Sequence, residues 1–142
     1  TKQEKGIQLI ESKPHLTESY IKEAEETLEL ILTIKGKWKV IMAYYACYNA
    51  FYALLMKAGI KCEIHDCTLE LMKLFDFNSA EIQYIKRLKM DRIQVQYYLK
   101  DISLRNEKDT KRFILKCKMI LNELNSEKIE KIREKINNIL SP

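Results

Sequence analysis

The chain has 142 residues, of which 46% are hydrophobic and 32% charged, with a formal net charge of +5. That length supports one real core and excludes two comfortable domains, and the composition excludes a disordered chain. The mild positive balance permits an acidic partner such as RNA without requiring one.

Three glycines and two prolines leave little turn chemistry, so long helices are expected over many short strands. No uncharged apolar run reaches transmembrane length, and no signal-peptide pattern opens the sequence. The expectation is a cytoplasmic protein outside the membrane, with no cofactor, whose four cysteines (Cys47, Cys62, Cys67 and Cys117) are thiols.

The stretch from Thr1 to Lys13 reads as a short amphipathic lead-in anchored by Ile7, Leu9 and Ile10. Pro14 marks a break, with His15 beside it as a surface or capping residue, and Thr17 is placed to cap the next helix. In that helix Tyr20, Ile21, Ala24, Leu28, Ile31 and Leu32 recur at helical spacing, and Gly36 is expected to end it. WKVIMAYYACYNAFYALLMKAG follows, apolar nearly all round, with an alanine stripe at Ala43, Ala46, Ala50 and Ala53 that invites close helix approach. A domain of this size cannot easily wrap such a helix, so a homodimer interface is expected at or near it, the alternative being a central helix of a monomeric bundle. Gly59 is its expected C-terminal cap.

Thr68 to Phe75 reads as a short helix, and Asn78 or Ser79 caps another carrying Ile82, Ile85 and Leu88. KMDRIQVQYYLKD then brings a change: Ile93, Gln94, Val95 and Gln96 alternate with the period of a strand. Asn106 or Asp109 starts a helix with Phe113, Ile114, Cys117, Ile120, Leu121 and Leu124 apolar. Ser126 starts the last, with Ile129, Ile132, Ile136 and Leu140 in register. The sum is an all-α, up-and-down bundle of five or six helices in a single domain, residues 1–142, with its last helix at about 126–140.

Three stretches, EKGIQLIESKPHLTESYIKEAEETLE, AYYACYNAFYALLMKAGIKCEIHDCTLELMKLF and RIQVQYYL, together resemble the HEPN family over roughly residues 5–124. These are small helical domains of prokaryotes, fused to or encoded beside minimal nucleotidyltransferases. The resemblance implies a helical bundle, usually dimeric, with a cleft at the dimer interface. In active members an arginine, four to six residues and then a histidine form a metal-independent ribonuclease site. Here Arg92 stands in the arginine position and Tyr97 where the histidine would be.

Arg92 suits phosphate, because guanidinium is always charged and bidentate. Tyrosine titrates near a pKa of about 10 and is a poor base at neutral pH, but it can donate a hydrogen bond or stack a base. On a straight helix Arg92 and Tyr97 lie well apart in angle. In some HEPN toxins the partner nucleotidyltransferase adenylylates a tyrosine two residues beyond the histidine, a position that neither Tyr97 nor Tyr98 matches. The bland alternative pairs Arg92 with Asp91 or Asp101 and buries both tyrosines.

The sequence therefore carries three readings. The first is a HEPN-type nucleotide- or RNA-binding module, the non-catalytic or weakly active partner of a minimal nucleotidyltransferase in a toxin–antitoxin-like pair. Its contacts would come from Arg92, Tyr98, Lys86, Arg87, Lys89 and His65, the last lying where the family also carries a histidine. The second is an endoribonuclease toxin using Arg92 with Tyr97, and the third a purely structural dimeric protein. No metal is expected. The weak alternative is zinc on Cys62, His65 and Cys67 with Cys47 or Cys117 as fourth ligand, in a spacing unlike the familiar zinc patterns.

Overall fold

The computed structural model describes residues 6–104 and 107–141. Its centre is the helix α2, Trp38–Ala58. Fourteen of its side chains are buried, among them the four alanines of the stripe and Tyr44, Phe51, Leu54 and Leu55. The long helix α1 (Pro14–Ile31) covers it most extensively; α4 (Ser79–Tyr98), α5 (Glu107–Glu123) and, more lightly, α6 (Ser126–Leu140) close the other sides. One apolar core joins residues from all of these helices. The protein is an all-α helical bundle, and none of its helices among the described residues is long and apolar enough to cross a membrane. The chain itself thus wraps most of a helix that a domain of this size was not expected to cover easily. Only the first turn is left out, where Trp38 is exposed.

The local details correct several expectations. Pro14 does not break the chain: it is the first residue of α1, where its missing N–H costs nothing. Thr17 lies inside that first turn and returns its hydroxyl to the Lys13 carbonyl at 3.1 Å. α1 stops at Ile31, and Gly36 instead supplies a left-handed residue (φ 77°) in the turn that leads to α2.

The period-2 run Ile93–Gln96 is not a strand but the last turns of α4. Strands occur elsewhere, as an antiparallel pair of β1 (Ile7–Leu9) with β2 (Ile60–Cys62), Ile7 facing Cys62 and Leu9 facing Ile60. The segment expected as one helix, Thr68 to Phe75, begins earlier as α3 (His65–Glu70) and tightens into a 3₁₀ turn, Leu71–Leu74. Asn78 caps α4 with a reciprocal box: it accepts from the Glu81 N–H and gives its own N–H to the Glu81 carboxylate, both at 2.8 Å. Asn125, one residue before the expected start, caps α6. Asn106 lies outside the described residues.

Gly59 ends α2 in the left-handed conformation (φ 74°), as expected. The constraint is double, because a Cβ there would meet the Ile10 carbonyl at 2.3 Å. The chain crosses itself at this point. Nη1 of Arg133, on α6, lies among the carbonyls of Ile10 (2.9 Å), Ala58 (3.0 Å) and Gly59 (2.8 Å) and donates into the cluster. One guanidinium thereby ties the end of β1, the end of α2 and the final helix together. Arg133→Met should leave these acceptors short of a donor and cost about 1–3 kcal/mol. Urea denaturation of the variant against the parent chain checks this.

Candidate nucleic-acid interface

The site begins with a periodicity. On α4 the buried residues are Ile85, Leu88, Arg92 and Val95, with steps of three and four. Arg92 therefore occupies a core position in an apolar stripe, and it is 8% exposed. Its Nη1 donates to the Tyr45 hydroxyl at 3.1 Å and to Gln96 Oε1 at 3.2 Å. Its Nε is buried with no partner. Neither Asp91 nor Asp101 pairs with it, nor does any other carboxylate among the described residues.

What surrounds the charge is aromatic. The guanidinium carbon lies 4.9 Å from the Tyr44 ring centre, 5.5 Å from Tyr45 and 5.9 Å from Tyr97. Arg92 meets Tyr97 within one continuous helix despite their angular separation. The long side chain runs toward the C-terminal end of α4, as its bond to Gln96 one turn on shows, and so reaches the Tyr97 ring. Tyr97 and Tyr98 do not pack in the core; they are 65% and 66% exposed.

A tyrosine ladder on α2 extends the site. Tyr44, Tyr48 and Tyr52 follow at i, i+4 and i+8, with ring centres 5.9 and 5.8 Å apart. These rings fasten the segment that runs from the end of β2 into α3. The Tyr52 hydroxyl accepts from the Cys62 N–H at 3.3 Å, and the Tyr48 hydroxyl donates to Thr68 Oγ1 at 3.3 Å. The His65 ring stacks on Tyr48 at 4.2 Å with an 11° tilt, and its Nδ1 shares a 2.8 Å hydrogen bond with the Tyr44 hydroxyl.

Tyr44 thus touches both His65 and Arg92, two residues far apart in the sequence. Position 97 holds a tyrosine, and the fold delivers a histidine to the same cluster from α3. The signal that would have found it is the i, i+4 tyrosine ladder, which needs a partner on an adjacent element.

The electrostatics follow from burial. Burial pushes the Tyr44 hydroxyl well above the ordinary range, although Arg92 pulls the other way, and Tyr48 is pushed up to about 12. Both hydroxyls stay neutral, so neither compensates Arg92. Burial lowers the His65 pKa, and Arg92 and then Lys89 lower it further. Lys89 is itself lowered, by burial and then by Arg92.

The other predicted basic contacts are partly neutralised. Lys86 pairs with Glu70 at 3.1 Å, and Lys89 pairs with Asp66. Both line a groove of about 350 Å³ with Leu69 and Met90 beside the cluster. Arg87 is exposed on another face of α4, near Asp91. Tyr98, one residue on from Tyr97, turns about 100° further round the helix, away from the three rings that face Arg92. No cysteine is in a disulfide, and among the described residues no three His, Cys, Asp or Glu side chains are grouped to hold a metal ion, so Cys62, His65 and Cys67 do not assemble the zinc alternative.

The His65 environment predicts a pH dependence. With its folded pKa below the ordinary 6.5, the native state binds fewer protons than the unfolded chain as pH falls past that value. The stability contribution is full above pH 6.5 or so and declines as pH drops through the depressed folded pKa. His65→Gln should flatten this decline, read as melting temperature against pH between about 5 and 8.

In comparisons with known proteins, the chain matches no protein-family model and no curated protein is significantly similar to it.

Proposed function

We propose that the protein is a HEPN-type module that binds RNA or a nucleotide through phosphate, with Arg92 as the anchoring cation. The observation that carries this reading is the uncompensated guanidinium. Burying a cation costs several kcal/mol even after relaxation, and a carboxylate partner is the usual remedy. Here rings and two neutral oxygens stand in its place, and Nε is left without an acceptor. A guanidinium that the fold leaves without an anionic partner suits a phosphate, which would meet its outer nitrogens, Nε itself being buried. By its resemblance the module is a homodimer and the non-catalytic or weakly active partner of a minimal nucleotidyltransferase in a toxin–antitoxin-like pair.

A second reading, an endoribonuclease, is favoured by one observation. Cleavage needs a base for the 2′-hydroxyl beside a cation for the phosphorane, and His65 is tied to the ring that carries Arg92. Its lowered pKa keeps the imidazole neutral at pH 7, as a base must be. In this reading the acid–base group is His65, and Tyr97 is not. RNA cut by the parent protein and by Tyr97→Phe, but not by His65→Gln or Arg92→Met, would establish it; no cutting by any of them leaves the binding module.

The binding reading is tested by fluorescence anisotropy with labelled RNA over a range of salt. Arg92→Met should weaken binding about ten- to a hundred-fold and lower the salt slope by about one. Its unfolding stability should stay within about 1 kcal/mol of the parent or rise, because an unpaired buried charge has been replaced by an apolar chain. Unchanged RNA affinity together with a loss of several kcal/mol would make Arg92 a structural residue and sink the proposal.

A further inference from the structure

We infer that the turn between α1 and α2 is a docking surface for an anionic phospholipid bilayer, with Trp38 and Leu32 entering the headgroup layer and Lys35 and Lys37 meeting lipid phosphates. The inference is independent of Arg92. It starts from the one turn of α2 that the fold leaves open.

α1 ends at Ile31 and α2 begins at Trp38. Across the turn the chain presents Leu30, Leu32 and Trp38 to solvent, the last two 64% and 61% exposed. Hydrogen bonds hold that exposure in place. The Leu32 and Thr33 N–H groups donate to the carbonyls of Glu29 and Leu30, and the Lys39 and Val40 N–H groups to those of Gly36 and Lys37, at 3.0–3.2 Å. At the tip, a Cβ on Gly36 would meet nothing within 4 Å, so this end of the turn stands clear of the rest of the protein. An indole and a leucine on a pinned, projecting turn contribute little to the core of their own chain.

The charges around them are of one sign. Lys35 and Lys37 flank Gly36, and neither has an acidic partner among the described residues. Lys39, one residue past Trp38, is already paired with Glu107. No Asp or Glu occurs between Glu29 and Glu63. Lysines at the start of a helix add to the positive end of its dipole, and α2 has no acidic residue in its first turn to offset them. These cations stabilise nothing inside the chain, and what complements them is an anion outside it.

The mixture of side chains selects the occupant. Two copies meeting through this turn about a two-fold axis would set Lys35 and Lys37 against their own counterparts. A nucleic-acid strand would use the lysines and the indole but leave the leucines in water. An anionic bilayer uses all of them: the indole sits at headgroup level, the leucines reach the acyl boundary, and the lysine stems lie along apolar surface with their ammonium groups at the phosphates. Among the described residues no helix is long and apolar enough to cross a membrane, so the contact is one with its surface.

Trp38 is the only tryptophan of the chain, so its fluorescence reports on the turn directly. The experiment titrates the full chain with vesicles of phosphatidylcholine alone and of phosphatidylcholine mixed with phosphatidylglycerol, reading emission spectra and co-sedimentation together. The mixed vesicles should pellet the protein and shift its emission to the blue; the neutral vesicles should do neither. Lys35→Gln and Lys37→Gln should each weaken binding about five-fold, and added salt should weaken it further. Trp38→Ala should weaken it roughly ten-fold. Each variant should melt with the parent, and Arg92→Met should bind the mixed vesicles as the parent does.

No pelleting and no shift with the mixed vesicles overturns the inference, as does an equal response to both kinds of vesicle. A blue shift that grows with protein concentration in the absence of lipid overturns it too, by making the turn a contact between copies. So does loss of RNA affinity in Lys35→Gln and Trp38→Ala without any vesicle binding, which would make the turn a strand-binding surface.

Discussion

Helix α2 has no polar face to turn toward water between Val40 and Ala58, and the rest of the molecule is arranged to cover it. Each fully buried large side chain contributes about 1.5–3 kcal/mol relative to exposure, so leaving one face of such a helix open would forfeit a substantial part of the stability of a small domain. The alanines at Ala43, Ala46, Ala50 and Ala53, all completely buried, let neighbouring helices come close enough to close the gaps. Gly59 then lets the chain leave at an angle that brings β2 against β1, and Arg133 fixes the crossing from α6.

The same helix sets the conditions for the site. Its tyrosines are core residues with polar ends, and a buried hydroxyl needs a partner. Tyr52, Tyr48 and Tyr44 find theirs in Cys62, Thr68 and His65, all within the segment that starts at β2 and runs into α3. One helix therefore positions a histidine and cradles the arginine of α4 between its rings. Cation–π attraction in a desolvated cage is worth about 2 kcal/mol, less than the cost of burying the guanidinium, so the cage holds Arg92 in place without neutralising it. A stripe position on α4 that would gain from an apolar side chain carries a charge instead. That cost in stability is what separates Arg92 from Lys86 and Lys89, whose acidic partners satisfy them within the fold.

How much of this was legible depended on whether the signal was local. The full burial of α2, its left-handed end at Gly59 and the cap at Asn78 each follow from a few adjacent residues. The two short strands do not: three-residue segments such as Ile7–Leu9 have no periodicity to read, and only pairing across the chain makes them strands. The run Ile93–Gln96 misled for the same reason. Four residues of alternation suit a strand, but Val95 completes the Ile85, Leu88, Arg92 series, and the packing of α4 on α2 decides the conformation. Arg92 was singled out by resemblance, whereas its place in that apolar stripe was readable from the residues alone and is the stronger physical signal. The meeting of His65 with Arg92 across Tyr44 was not readable, because it depends on how the segment after β2 folds back.

Positions 97 and 65 take contrasting environments once the cluster is assembled. Tyr97 stands on the exposed last turn of α4, in water and next to a cation. The histidine that this fold does supply is stacked on Tyr48, hydrogen-bonded to Tyr44 and shifted toward its neutral form by burial and by Arg92 and Lys89. The imidazole thus lies within the aromatic ladder, while position 97, at the helix surface, carries an exposed ring. Arg92 lies between the two, 5.9 Å from the Tyr97 ring and 4.9 Å from the ring of Tyr44, whose hydroxyl is bonded to His65.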